Sequence, residues 1–373
     1  MSERRSESVT FTVVVTVAVI LGALMMLAVL ALAGAPTVTL VAALLAALPV
    51  GPLVACYLWL DRYEPEPKTL LLYGLLWGAF VATAAALVLG GMGGIFGAVT
   101  DDVSLAVVAP VTEEAAKGLF LLLLLWWRRA ELDGILDGIV YAGMVGIGFA
   151  FTENILYLAA AYNGTDGVGP GGVAGVTATF VVRCLVSPFA HPLFTAFIGV
   201  GVGIAVASRS RRVRVAAPLG GFVLAVLTHG AWNASTIFGV GGFVGVYVVL
   251  MVPALVGLAS LAVWMRRSEP LVLQAALDDA ARRGLIPATD IGWVVDLRAR
   301  QATRAYAGRL GGPEGARAMA SYQQATIELG YLHHRLLRGT PPADWRVRGA
   351  EHVERIRAVR PHIAFPGQVV PTL

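Results

Sequence analysis

The sequence predicts an all-α polytopic membrane protein: about eight transmembrane helices bundled around a central polar cavity, with a small helical cytosolic tail. Three observations predict it. Of the 373 residues, 57% are hydrophobic and 14% charged, where soluble domains carry about 25% charged residues. The apolar residues gather into eight runs of the length a helix needs to cross a bilayer core, about 20 residues. The basic residues fall in every second connection between those runs. A soluble core of this size could not bury so much apolar surface. Disorder, a coiled coil and a disulfide framework are excluded as well. Cys56 and Cys184 lie in apolar stretches and read as small buried hydrophobes.

Taken in order, the runs cover 11–33, 38–60, 70–97, 104–127, 134–160, 177–207, 215–236 and 242–265. The third, fifth and sixth are long, which implies tilt or extra interfacial turns. Ala33-Gly34-Ala35 resembles a signal-peptide cleavage site, but the core before it is longer than the usual 7–15 residues or so, so the first run is read as a span. Arg4 and Arg5 precede it. Arg62 and Lys68, Arg128 and Arg129, Arg209 to Arg214, and Arg266 and Arg267 fill alternate connections. The remaining connections hold acids such as Asp101, Asp102 and Asp166 and no Lys or Arg. By the positive-inside rule both termini are then cytoplasmic.

Three parts follow: a cytosolic N-terminus at 1–10, a transmembrane domain at 11–266, and a cytosolic helical extension at 267–373. The net charge of +4 comes from the extension, since residues 1–265 hold 12 Lys and Arg against 14 Asp and Glu, and 266–373 hold 16 against 10. Gly284, Pro287, Gly311-Gly312-Pro313 and Pro341-Pro342 punctuate the extension, while 271–283 and 315–338 keep a helical period. It reads as a small helical domain or lid without chemistry. His333-His334 has no Cys partner and reads as a solvated face.

Ionisable groups inside a membrane are costly and point to function. The fourth run carries Glu113-Glu114-x-x-Lys117 near its middle, and Lys117 is one turn from both acids. Two carboxylates so close cannot both ionise cheaply, so one is suited to take a proton and the other to hold or orient it. The fifth run carries Glu153 and Asn154, with Asp137 near its cytoplasmic end as a helix-start residue. The sixth carries Arg183, expected to pair with Glu153 or to snorkel outward in a structural role, and His191, with Pro188 and Pro192 bending the helix. On the seventh, His229 and Asn233 share a face. If Glu113, Glu114, Glu153, His191 and His229 meet in one wet pocket, they can activate a water molecule, with or without a metal, or relay protons.

Several chemistries are absent from the sequence. It has no HExxH helix, no Gly-x-Ser-x-Gly elbow and no phosphate-binding loop. Leu132-Asp133-Gly134 and Leu136-Asp137-Gly138 match the LDG of site-2 metalloproteases only as short strings.

Together, Glu113-Glu114-x-x-Lys117, Gly148-Phe149-Ala150-x-x-Glu153-Asn154, His191-x-x-Phe194-Thr195 and His229-x-x-Trp232-Asn233, preceded by the loop Asp61-Arg62-Tyr63-Glu64-Pro65-Glu66-Pro67, make the chain resemble the PrsW family of intramembrane proteases, within the superfamily of CAAX prenyl proteases and bacteriocin-processing relatives. The resemblance covers about 50–240 and leaves out the tail. It implies a helical bundle with a conical cavity in the bacterial inner membrane, and hydrolysis of a peptide bond in a membrane-anchored substrate. An anti-sigma factor, cut on its outer side, is the family's best-known case. Carried over, Glu113, Glu114 and His191 are the essential residues, and His229 and Asn233 match the superfamily's last motif. Glu153 stands where the superfamily usually has His.

The mechanism expected on this basis has Glu113 or Glu114 as general base on a water. His191 and His229 either ligate Zn²⁺, with Glu153 as a third ligand or an orienting group, or bond directly to the water and oxyanion. Asn233 assists the oxyanion and Lys117 tunes the acid pair. The metal-free glutamate mechanism stays open beside the zinc one. The expected partners are a single-span membrane protein and the lipid bilayer, with no nucleic acid. A proton-coupled transporter and an inactive protease-like interaction protein are the competing classes.

Overall fold

The computed structural model describes residues 2–32, 36–95, 100–164 and 170–367, and every regular element among them is helical. Ala33-Gly34-Ala35 and Asp166 lie outside the described residues. Eight long helices match the eight apolar runs: α1 Ser2–Leu32, α2 Pro36–Leu60, α3 Lys68–Gly91, α4 Ala109–Trp127, α5 Ile135–Asn163, α6 Gly172–Ala207, α7 Arg211–Ser235 and α8 Gly239–Arg282. Seven of them are long and apolar enough to cross a membrane. The eighth expected span, α4, is left out of that set by Glu113, Glu114 and Lys117, three ionisable groups within one short helix.

The chain divides into two compact units. One takes the residues up to Asp61 and Glu66–Ala262, and the other takes Arg62–Pro65 and Val263–Leu373. In the first unit α5 is the central element. Of its most apolar window 83% is buried, against 11% for α2, which turns most of its surface outward as a lipid-facing helix does. Cys184 is buried as expected, whereas Cys56 sits on the exposed side of α2.

Glycine is what lets α5 reach the centre. A Cβ built on Gly138 would lie 2.0 Å from the Gly199 carbonyl oxygen of α6, and one on Gly148 would lie 1.9 Å from the Leu75 oxygen of α3. Backbones this close exclude any side chain, the usual solution where helices associate without a hydrophobic driving force. Helix α6 is broken as its prolines predict. A π-helical turn at Val181–Val186 ends at Ser187, and helix resumes at Ala190. The Val182 carbonyl accepts both the Ser187 amide at 2.9 Å and the Ser187 hydroxyl at 2.7 Å, which closes the end of the turn. Further π-helical turns occur at Trp77–Ala82, Ser104–Val108 and Tyr247–Met251.

The connection from α2 to α3 is tied inward. Both oxygens of Asp61 accept the Glu66 amide, at 3.2 and 3.0 Å, and Tyr141 of α5 donates to Glu66 Oε2 at 2.6 Å. Burial pushes the Asp61 carboxyl up to about 7 and holds that of Glu66 well above the usual range. Asp137 accepts the amides of Asp133 and Gly134 at the start of α5, as a helix-start residue should.

The second unit has its own core, in which Leu273 and Leu277 of α8 meet Tyr322 and Phe365. Its other helices are α9 Ile291–Val295, α10 Leu297–Arg338 and α11 Trp345–Val359. Helix α10 kinks at Gly311-Gly312-Pro313, where Gly312 takes φ +60°. His333 does not form part of a solvated face: it is buried and its Nε2 lies 2.7 Å from Asp279 Oδ2, because α10 turns that side towards α8.

Two outcomes follow from this packing. Gly138→Ala should lower stability by about 1–3 kcal/mol through overpacking. Gly90→Ala, with nothing within 4 Å of the new methyl, should leave the thermal midpoint in detergent unchanged. For the loop, the folded Asp61 keeps its proton between its ordinary value of 3.8 and about 7, while the unfolded form releases it. The stabilisation is therefore complete below that window and is lost as pH rises through it. Exchange protection of the Glu66 amide, corrected for intrinsic rates, should fall across the window, and Asp61→Asn should flatten the profile.

Candidate active site

The middle of α4 is the foundation of the site. Pro110 lies in its first turn, directly after the π-helical turn Ser104–Val108. One turn on, Glu113 and Glu114 point to the bundle interior with Lys117 below them. Lys117 Nζ donates to Glu113 Oε2 at 3.2 Å and to Glu114 Oε1 at 2.8 Å. Its ammonium also lies 3.6 Å from the centroid of the Phe149 ring. Lys117 and Glu114 are completely buried, and Glu113 is 8% exposed.

The imidazoles arrive from α6 and α7. His229 Nδ1 is 3.0 Å from Glu114 Oε1, and its Nε2 is 3.8 Å from Glu113 Oε2. His191 Nδ1 is 3.1 Å from Lys117 Nζ, and its Nε2 is 2.7 Å from Glu153 Oε2. These partners determine the tautomers, since carboxylates accept and ammonium donates. His191 carries its proton on Nε2 and His229 on Nδ1. The unprotonated nitrogen of His229, Nε2, thus faces Glu113, while the His191 Nδ1 lone pair accepts from Lys117. Phe194 stacks on His229 with ring centroids 4.6 Å apart.

All seven residues singled out from the sequence meet here: Glu113, Glu114, Lys117, Glu153, His191, His229 and Asn233. A cavity of about 700 Å³ reaches some of them and not others. Glu113, Glu153, Asn154, Arg183, His191 and Asn233 line it. Glu114, Lys117 and His229 stand behind that wall. Asn233 Nδ2 donates to the Leu105 carbonyl at 3.0 Å, a bond that uses one of its two amide hydrogens. Glu153 is held by Arg183 as well as by His191.

The donor set has a definite chemical preference. Ligand atoms of Glu113, His191 and His229 lie within 4.8 Å of one another, so this group can hold a metal ion. Zinc takes such N and O donors at about 2.0–2.2 Å in tetrahedral array. Each imidazole has its other ring nitrogen on a carboxylate, Glu153 behind His191 and Glu114 behind His229. That is the arrangement commonly found behind metal-bound histidines. The residues fit a divalent metal, and the carboxylate grouped with the two imidazoles is Glu113, where the sequence suggested Glu153. Three carboxylates also face only two fixed cations, Lys117 and Arg183, leaving a surplus negative charge for a bound cation or proton to balance.

Two contacts escaped the sequence reading. The Thr195 hydroxyl donates to Glu114 Oε2 at 3.1 Å. Phe149 supports both Lys117 and the His191 ring, the latter at a centroid distance of 5.0 Å. A signal for both existed. Thr195 follows His191 by four residues and Phe149 precedes Glu153 by four, the same spacing that links Glu113 to Lys117 and His229 to Asn233.

A family model described as "PrsW family intramembrane metalloprotease" matches residues 66–258, a little over half of the chain. "Protease PrsW" of Geobacillus kaustophilus (strain HTA426) is 30% identical over 152 residues, which cover 40% of this chain and 60% of that protein. The chain thus spans less than two thirds of the relative's length. No solved structure matches the chain.

Removing the shared cation should expose the cost of this cluster. Lys117→Met leaves two buried carboxylates without their common partner and should cost about 3–5 kcal/mol. The thermal midpoint, read by tryptophan fluorescence, should fall sharply. The triple variant Glu113→Gln, Glu114→Gln, Lys117→Met should recover much of that loss.

Proposed function

The chain belongs to the PrsW family of intramembrane metalloproteases, and from that premise we propose that it is an endopeptidase hydrolysing a peptide bond in a single-span, membrane-anchored protein. The observation that carries this reading is the meeting of Glu113, His191 and His229, the first two lining a cavity, within a bundle of apolar helices. By family likeness an anti-sigma factor is the substrate class to try first. The alternating arginines support an inner-membrane location with both termini and the second unit in the cytoplasm.

Glu113 is the general base. It lines the cavity, whereas Glu114 does not. Its Oε2 is committed to Lys117, and Oε1 makes no hydrogen bond among the described residues. Glu113 takes a proton from a water in the cavity, and the water oxygen attacks the scissile carbonyl carbon. The same carboxyl then returns that proton to the departing amine. Glu114 serves as an anchor, with Lys117, His229 and Thr195 all bonded to it. Asn233 offers its second amide hydrogen to the developing oxyanion, where a preorganised donor is worth most. His191 and His229 would hold the metal, which we read as zinc, leaving the free Glu113 oxygen to the water. When bound, the metal supplies Lewis-acid polarisation of the carbonyl.

The proton-coupled transporter would use the same groups as a relay, but the paired carboxylates and oriented imidazoles around one cavity are better arranged for hydrolysis. The test is reconstitution with a single-span substrate. Glu113→Gln should reduce cleavage by about 10²–10⁴-fold, and His191→Ala and Glu114→Gln should also impair it. Retained cleavage in all three variants, or solute flux without peptide products, overturns the reading. Chelator should abolish activity and added zinc restore it; insensitivity to chelator would favour the metal-free route.

A further inference from the structure

Among the described residues Arg183 is the one Lys or Arg that lines the cavity, and its contacts converge on a single carboxylate. It sits in the π-helical turn Val181–Val186 of α6. Its Nη2 pairs with Glu153 Oε2, its Nε donates to Asn154 Oδ1 at 2.7 Å, and its guanidinium lies 3.9 Å from the centroid of the Tyr157 ring. The three partners belong to one stretch of α5, so three surfaces fix the guanidinium in place. Glu153 Oε2, the oxygen Arg183 holds, is the same atom that lies 2.7 Å from His191 Nε2. Arg183 and His191 thus flank the break in α6 and grip one carboxylate oxygen from either side of it.

We propose that Arg183 is a positioning residue of the hydrolytic site: it fixes Glu153 as the acceptor for the His191 Nε2 proton and so keeps the Nδ1 lone pair turned inward to Lys117 and the acid pair that Lys117 holds. The proposal rests on the reading of Glu113, His191 and His229 as the reacting centre. A simple helix-to-helix tie would need only charge and would be indifferent to which ring nitrogen is protonated. Here the hydrogen bond at one nitrogen decides what the other can do. The bond from Arg183 to Asn154 and its stacking on Tyr157 prevent the guanidinium from following Glu153 if the carboxylate swings away. A lysine ammonium would keep the charge but lose the fork and the stacking.

The experiment uses the full chain in proteoliposomes with a single-span substrate. Arg183→Met should lower kcat by about 10–100-fold, the usual effect of losing a partner behind an active histidine, with KM within about twofold. Arg183→Lys should recover only a small part of that loss. The double variant Arg183→Met, Glu153→Gln should be no slower than Glu153→Gln alone, because both act through one contact. In parallel, ¹⁵N-histidine spectra, with His191 assigned by His191→Gln, should show Nε2 protonated in the wild type and a mixture of tautomers in Arg183→Met. An unchanged His191 spectrum in Arg183→Met overturns the proposal, as does wild-type kcat, a loss confined to KM, or multiplicative losses in the double variant. The spectra need no turnover, so they decide on Arg183 even if wild-type protein cleaves nothing. That last result would count against the protease reading alone.

Discussion

Carboxylates can be kept inside a membrane bundle only if fixed cations and hydrogen-bond donors answer them, and the rest of the site depends on that constraint. An isolated charge in hydrocarbon is prohibitively costly, and even a paired one returns only part of its desolvation cost. Lys117 answers two acids at once from within the same helix. Arg183 answers the third from a neighbouring helix. The two histidines then bridge the groups, one touching Glu153 and Lys117, the other Glu114 and Glu113. The network is nearly closed, so no member can move without leaving a buried partner exposed to the low-dielectric interior.

Such a network needs helices that approach closely and stay there. Glycine supplies the approach, through the contacts of Gly138 with Gly199 and of Gly148 with Leu75. Breaks in helical regularity supply the aim. The π-helical turn and the interruption at Ser187 let α6 present both Arg183 and His191 to the same oxygen of Glu153. The π-helical turn before α4 presents the Leu105 carbonyl to Asn233. Small residues and irregular turns thus set the position of the costly polar groups, and the apolar outer faces of α1, α2 and α8 do little more than meet lipid.

The two adjacent glutamates illustrate a division of labour. They are chemically identical and one residue apart, yet one lines the cavity and the other is enclosed by Lys117, His229 and Thr195. The helical turn between neighbours is about 100°, enough to aim one side chain at solvent-accessible space and the other at the packed interior. The open position gives Glu113 access to water, and the enclosed one leaves Glu114 to its three partners.

Much of this was legible in the sequence, for a physical reason. Hydropathy marks the spans because the bilayer imposes a length, and helical periodicity puts residues four apart on one face. Glu113 with Lys117, Phe149 with Glu153, His191 with Thr195 and His229 with Asn233 could each be paired on that basis. What the sequence could not determine was any relation between helices. Which glutamate meets the cavity, that Glu153 stands behind His191 while Glu113 joins the group able to hold a metal, that His333 turns inward to Asp279, and that Arg183 pairs with Glu153 and does not snorkel outward are all set by backbone approaches between segments far apart in the chain. Local pattern determined which faces were polar; tertiary packing alone decided which of those faces meet, because the distances that govern charge and coordination are measured across helices and not along them.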